Sequence, residues 1–293
     1  MERTVADPNI AILAGGVSSR MRQSVSRQND LNPRLRSDAE RKPKAMIGIG
    51  RHARPFLDYL LDNIARAGYR NVAIVIGDGG DVIRNYCENP RGGGQFPDLR
   101  FSFATQTISP GWEKPAGTAD ALLQALNTMQ SWQHRKFTVC NSDNLYSEHV
   151  LRMILEDSHR NAMIDYDRSA LRFDQERISQ FAIVQRDSDG FLLDILEKPS
   201  SKNIAENRGR IGVSMNIFRF SYDDIYPVLN EIPFHPVRGE KELPNAVRML
   251  VERIPHSVYA IPIAEHVPDL TSVADVLSVA DHLDGGPDDR TSG

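Results

Sequence analysis

Leu13-Ala14-Gly15-Gly16-Val17-Ser18-Ser19-Arg20-Met21 places glycines, small hydroxyls and an arginine directly after the first apolar run of the chain. Glycine lets a backbone approach a ligand closely, and successive N–H groups at such a turn can form a concave anion site. Arg20 adds a planar fork that grips phosphate oxygens in pairs. The segment lacks the Gly-x-Gly-x-x-Gly dinucleotide pattern, and no Gly-Lys-Ser/Thr closes it as in a Walker loop. A long connection without apolar periodicity leads from Met21 to Lys42-Pro43-Lys44-Ala45-Met46-Ile47. From Arg20 to Lys44 eight basic residues stand against three acidic ones, a net +5, so that the rest of a −4 chain carries −9. The chemistry this suggests is capture of a polyanion. A solvated basic loop would give the same composition through the middle of the stretch.

The elements that would position these groups follow from the apolar pattern. Ile10–Ala14 reads as a strand buried on both faces, as in a parallel sheet. Phe56–Ala67 has helical spacing and ends at Gly68. Val72–Ile76 is a second buried strand, which completes a βαβ unit. Arg100–Ala104 and Phe137–Cys140 read as strands, and Thr118–Met129 and His149–Glu156 as helices. Further on, Phe181–Gln185, Phe191–Leu196, Ile211–Phe220 and Val258–Ile263 read as strands, with helices over Leu243–Glu252 and Thr271–Leu283. The alternation predicts an α/β fold of doubly wound type. We expect one domain over residues 1–293, its second half elaborating the sheet edge and a flexible polar tail at 286–293.

Composition excludes several functions. With 293 residues, 25% charged and 40% hydrophobic, the chain can bury a sizeable core. A net charge of −4 argues against a general nucleic-acid binder. No run approaches the roughly 18–20 apolar residues of a membrane span, and the N-terminus lacks a signal-peptide pattern. Cys87 and Cys140 are too few for a disulfide framework and have no metal-ligand spacing. The expected location is the cytoplasm. The histidines are scattered along the chain.

Beyond the N-terminal segment, more motifs fall in order: Pro115-Ala116-Gly117-Thr118-Ala119-Asp120-Ala121, Ser142-Asp143-Asn144, Glu197-Lys198-Pro199, Gly239-Glu240-Lys241-Glu242-Leu243 and Pro268-Asp269-Leu270-Thr271-Ser272. Together with the glycine turn and Pro43-Lys44, this series resembles the sugar-1-phosphate nucleotidyltransferases, from residue 10 to about 283. Three departures stand out. The connection between Arg20 and Lys44 is longer than usual in that family. Val267-Pro268 replaces a tryptophan, and Leu270-Thr271-Ser272 stands where the family has Ile-Gly-Thr.

The resemblance implies a three-layer, Rossmann-like nucleotidyltransferase fold with a mixed, mostly parallel sheet. It also implies a nucleotide-binding half over about 9–145 and a sugar-phosphate half over about 146–285. The implied enzyme depends on Mg²⁺ and transfers a nucleoside monophosphate from a nucleoside triphosphate to a sugar 1-phosphate, releasing pyrophosphate. Arg20 and Lys44 would be catalytic, on the β/γ- and α-phosphates. Leu13, Ala14, Gly15, Gly16, Ser18, Gln106 and Gly117 would bind the nucleotide. Asp143 and Asp269 would hold the metal. Glu197, Lys198 and Asn216 would take the sugar phosphate. Structural readings stand beside these: a turn at Asp143, a surface ion pair at Glu197-Lys198, a helix-start aspartate at Asp269 and a loop amide at Gln106. Asp120 would face the start of its helix. Two other functions fit the same residues. One is transfer to a non-sugar acceptor, as in the molybdopterin and methylerythritol relatives. The other is a non-catalytic nucleotide-sugar-binding homologue. A homo-oligomer is compatible with all three.

Overall fold

A computed structural model describes residues 7–28, 30–77, 80–89, 93–108, 111–112, 114–197, 212–236 and 239–285. Its centre is the βαβ unit expected from the apolar runs: β1 (Asn9–Ala14), then a long connection, α3 (Phe56–Ala67) and β4 (Asn71–Ile76). β1 pairs in parallel with β4 on one side and with β6 (Lys136–Asn141) on the other. Its side chains alternate between two cores, Ile10 and Ile12 on one face and Ala11 and Leu13 on the other. A strand covered on both faces has no polar side, which is why its sequence reads as a continuous apolar run.

The connection between β1 and α3 is folded. It holds α1 (Ser19–Val25), α2 (Pro33–Arg41), and a small antiparallel pair, β2 (Gly48–Ile49) with β3 (Arg54–Pro55). The expectation of an unpatterned loop is therefore replaced by two short helices. Met21 and Val25 are the buried residues of α1, and Ala39 is the buried apolar residue of α2. So few inward positions, set among arginines, give too little amphipathic signal over helices this short. Asn32 caps α2 by accepting from the Arg34 N–H at 2.9 Å, with Pro33 at the first helical position.

The sheet has ten strands. β5 (Arg100–Thr105) lies outside β4. Past β6 come β11 (Ile217–Ser221) and β7 (Asn161–Asp167), then β10 (Gly212–Ser214), β8 (Ala182–Arg186) and β9 (Leu192–Leu196). β12 (Val258–Ile263) also pairs with β7, in parallel. The pairings make β9, β10 and β11 run against the other seven strands, so the sheet is mixed but mostly of one direction. The stretch read as one strand, Ile211–Phe220, is two. They part at Asn216, whose φ of 56° takes it out of extended geometry. β7, β4-following α4 (Asp81–Glu88) and α8 (Tyr222–Glu231) are elements that the apolar pattern did not single out.

Helices cover both faces. α3 and α6 (Glu148–Glu156) pack one core with Leu57, Leu60, Ile64, Val150 and Ile154. α10 (Val273–Gly285) adds Val273 and Val276 to it. α5 (Thr118–Thr128), α8 and α9 (Leu243–Arg253) build the other with Leu122, Leu126, Ile225, Leu229, Val247 and Leu250. Each fully buried leucine or isoleucine contributes about 1.5–3 kcal/mol relative to exposure. Among the described residues no helix is long and apolar enough to cross a membrane.

Gly117 ties the start of α5 to the segment around Lys241. Residues 116–119 are zipped to Lys241, whose N–H donates to the Ala116 carbonyl at 2.6 Å and whose carbonyl accepts from the Ala119 N–H at 2.9 Å. Gly117 has φ of 109°, and a Cβ there would meet the Lys241 carbonyl oxygen at 2.4 Å. Gly117→Ala is thus expected to destabilise the fold by about 2–4 kcal/mol. Gly16→Ala, where a Cβ meets nothing within 4 Å, should change stability by less than about 0.5 kcal/mol. Denaturant unfolding of the two variants tests the contrast.

Candidate active site

A cleft of about 850 Å³ opens at the carboxyl ends of β1 and β6. Strand ends of this kind are where open α/β sheets bind ligands. The cleft is lined by Leu13, Ala14, Gly15, Gly16, Ser18, Arg20, Lys44, Gln106, Gly117, Asp143, Glu197, Asn216 and Asp269. Every residue given a site role from the sequence therefore borders one cavity, except Lys198, which lies outside the described residues.

The glycine turn forms one wall. Gly15 packs against Gly77 so closely that a Cβ on Gly77 would lie 2.9 Å from the Gly15 carbonyl oxygen. Ser18, in the left-handed region at φ 53°, turns the chain into α1, and Arg20 stands exposed on its first turn.

Lys44 and Asp143 meet on the floor. Lys44 sits on a short 3₁₀ turn anchored by buried Ala45 and Met46, and its Nζ donates to Asp143 Oδ2 at 2.9 Å. The Lys44 side chain is 13% exposed and that of Asp143 26%, so each is reachable from the cleft without being freely solvated. Asp143 follows β6. The chain beyond it is stitched to the Asp269 segment: the Leu270 N–H donates to the Asp143 carbonyl, and the Leu145 N–H to the Pro268 carbonyl, both at 2.8 Å. Asn144 Nδ2 donates to Asp269 Oδ2 at 3.0 Å. Burial pushes the Asp269 carboxyl up, and the charge of Asp143 adds to the push. The Thr271 hydroxyl, Arg177 and Lys44 oppose it.

Two carboxylates that feel each other across a cleft are a suitable oxygen set for a hard divalent cation, which takes its other ligands from phosphate and water. Among the described residues no group of three or more His, Cys, Asp or Glu could hold a metal.

Arg177, on the short helix α7 (Gln175–Ile178), is a site residue that the sequence did not reveal. Its guanidinium forks between Asp269 and Asp275 and lies over the Phe173 ring at 4.3 Å. Asp275 in turn accepts from the Thr271 and Ser272 N–H groups at 3.0 and 2.6 Å. Nothing in the spacing of 173–180 points to Asp269, ninety residues on; only the tertiary packing joins them. Asn216 presents its side to the same cleft, its backbone fixed because its N–H donates to Ser214 Oγ at 3.2 Å and the Tyr146 hydroxyl donates to the neighbouring Met215 carbonyl at 2.6 Å.

Residues 33–260 match the model of the nucleotidyl transferase family. The chain is 24% identical over 251 residues to the bifunctional protein GlmU of Methanococcus maripaludis, covering 85% of this chain and 51% of that one. It is 24% identical over 276 residues to glucose-1-phosphate adenylyltransferase of Rhodospirillum rubrum, covering 89% and 60%. The chain thus spans between half and three fifths of the length of these curated relatives. A UDP-glucose pyrophosphorylase in complex with UDP-glucose superposes with a TM-score of 0.70 at 17% identity, over 94% of this chain and 98% of that one. UDP-glucose pyrophosphorylase from Acinetobacter baumanii gives 0.68 at 17%, over 96% and 94%. The two superpositions establish a common fold.

Arg177→Met would leave two largely buried carboxylates without their shared counter-ion. The expected loss of stability is about 2–4 kcal/mol, read as a lower denaturant midpoint with unchanged far-ultraviolet circular dichroism.

Proposed function

The chain belongs to the nucleotidyl transferase family, and on that premise we propose that it makes a nucleotide sugar from a nucleoside triphosphate and a sugar 1-phosphate, releasing pyrophosphate. The observation that carries this reading is the Lys44–Asp143 pair at 2.9 Å, on the floor of the one cleft bordered by the glycine turn, Arg20 and Asp269. The names of the relatives, which include a glucose-1-phosphate adenylyltransferase and UDP-glucose pyrophosphorylases, support a sugar 1-phosphate as acceptor.

In this reaction a phosphate oxygen of the sugar 1-phosphate forms a bond to the α-phosphorus, and the bond from that phosphorus to the bridging oxygen of the β-phosphate breaks. The nucleophile is already anionic at neutral pH, so no general base is needed. The difficulty lies in bringing two polyanions together, and catalysis rests on positioning and charge neutralisation. The Gly15-Gly16 turn lets backbone lie against the nucleotide. Arg20, solvent-exposed at the start of α1, meets the β- and γ-phosphates and holds the departing pyrophosphate. Lys44 is the compact charge at the α-phosphate, where negative charge builds in the transition state. Glu197 and Asn216, on the far wall, accept from and donate to the sugar hydroxyls; Lys198, from the same motif, belongs to this reading as the cation for the sugar phosphate. Asp143 and Asp269 would hold Mg²⁺, whose part is to neutralise the triphosphate oxygens. The same reading puts the protein in the cytoplasm, consistent with two free, buried cysteines, Cys87 and Cys140.

The test is pyrophosphate release from each nucleoside triphosphate with a panel of sugar 1-phosphates and Mg²⁺. Release with at least one pair is expected, and chelation of the metal should abolish it. Release only with a non-sugar acceptor would move the chain to the molybdopterin or methylerythritol type. Tight nucleotide-sugar binding without any release would make it a binding homologue. Lys44→Ala and Asp143→Ala should each lower turnover by at least about 10²-fold, with the fold intact by circular dichroism. Near-normal turnover in either would remove that residue from the site.

A further inference from the structure

Tyr146 is fully buried and does not border the cleft, yet its hydroxyl touches the backbone that does. Burial pushes the phenol well above its ordinary range, so it keeps its proton. That proton goes to the Met215 carbonyl, 2.6 Å away, with the Asn216 carbonyl at 3.3 Å. The same oxygen accepts from the Asn141 N–H, at the end of β6, at 3.4 Å. Tyr146 is itself anchored, because Asn63 Nδ2 donates to its carbonyl at 2.8 Å. Met215 and Asn216 form the break between β10 and β11, and both line the cleft. Asn216 has φ of 56°. A residue with a Cβ holds that conformation only where its surroundings impose it, although asparagine tolerates it better than most. Here the surroundings are two hydrogen bonds. The Asn216 N–H donates to Ser214 Oγ at 3.2 Å. The Met215 carbonyl held by Tyr146 belongs to the peptide that leads into Asn216, so the hydroxyl sets the plane from which Asn216 turns.

We propose that Tyr146 is a positioning residue for the acceptor: its hydroxyl pins the Met215–Asn216 turn to the end of β6, and so sets the acceptor wall from the strand that also delivers Asp143. Without the hydroxyl, the Met215 carbonyl is left buried with its donor gone. The constraint on Asn216 then weakens, and its backbone can relax towards extended geometry, which re-aims the side chain. The nucleotide side stands apart from this. Among the described residues the hydrogen bonds of Tyr146 reach none of Gly15, Gln106 and Gly117. Loss of the hydroxyl should therefore weaken use of the acceptor and spare use of the nucleotide. A purely structural tyrosine would lower stability without separating the two. This inference rests on the nucleotide-sugar reading, with Asn216 on the acceptor side, and adds the residue that holds that side in place.

The experiment is steady-state kinetics of the whole protein with the triphosphate and sugar 1-phosphate that release pyrophosphate fastest in the panel above. In Tyr146→Phe the KM for the sugar 1-phosphate should rise at least about fivefold, and the KM for the triphosphate should stay within about twofold. Ser214→Ala removes the other tie on Asn216 and should shift the same KM in the same direction; it carries the test if Tyr146→Phe does not fold. Tyr69→Phe is the control. Tyr69 is also fully buried, its hydroxyl lies 2.7 Å from Thr138 Oγ1, and it does not border the cleft. Its loss should lower the melting temperature and leave both KM values within about twofold. Equal rises in both KM values in Tyr146→Phe, or no rise in either, would overturn the proposal. So would the same split in Tyr69→Phe, which would mark it as general loosening of the core. No release by the wild type with any pair would instead overturn the transferase reading, and this proposal with it.

Discussion

The site depends first on the parallel pairing of β1 with β6. The register sets Leu13 beside Asn141, so two strands far apart in sequence end at the same level. From one end comes the glycine turn, from the other Asp143. The Ser142 N–H still reaches the Leu13 carbonyl at 3.1 Å, which keeps the two exits side by side after the ladder stops. Parallel strands require a long crossover, and the crossover from β1 carries Lys44 back to the same rim. Backbone hydrogen bonds therefore set the glycine turn and the aspartate side by side, and buried Ala45 and Met46 hold Lys44 at the same rim.

The second half of the chain builds the opposite wall by a different route. β11 runs antiparallel to β6, and β7 carries partners on both edges. The interruption at Asn216 breaks what would be one strand and turns that residue to the cleft. The late Asp269 segment then returns along the Asp143 turn through paired backbone hydrogen bonds. Gly117 and Lys241 link the two walls from outside.

Much of this was legible in the sequence where local physics decides it. The continuous apolar runs of β1 and β4 announce a sheet covered on both faces, and Gly68 marks the end of α3. The glycine turn with Arg20 stands out by residue type alone, whereas the later motifs that line the cleft are legible only through their resemblance to the nucleotidyltransferases. What was not legible depends on contacts between distant segments. Arg177 becomes a site residue only because α7 packs beside the Asp269 segment. Asp120 reads as an ordinary first-turn acid until Gln106 is seen to donate to it. The helices α1 and α2 were hidden because few inward residues, such as Met21, Val25 and Ala39, anchor a segment dominated by exposed arginines. The split at Asn216 was hidden because a β-rich composition continues through it.

The ion pairs of the floor have a consequence for how a ligand enters. Asp143 has Lys44 and Asp269 has Arg177, so the cations of the floor are already paired and already aimed. An anion that engages Lys44 or Arg177 must take it from a carboxylate. That carboxylate is partly buried and needs a cation in exchange. Uptake of an anion and uptake of a cation at this floor are therefore coupled, and each should tighten with the other present.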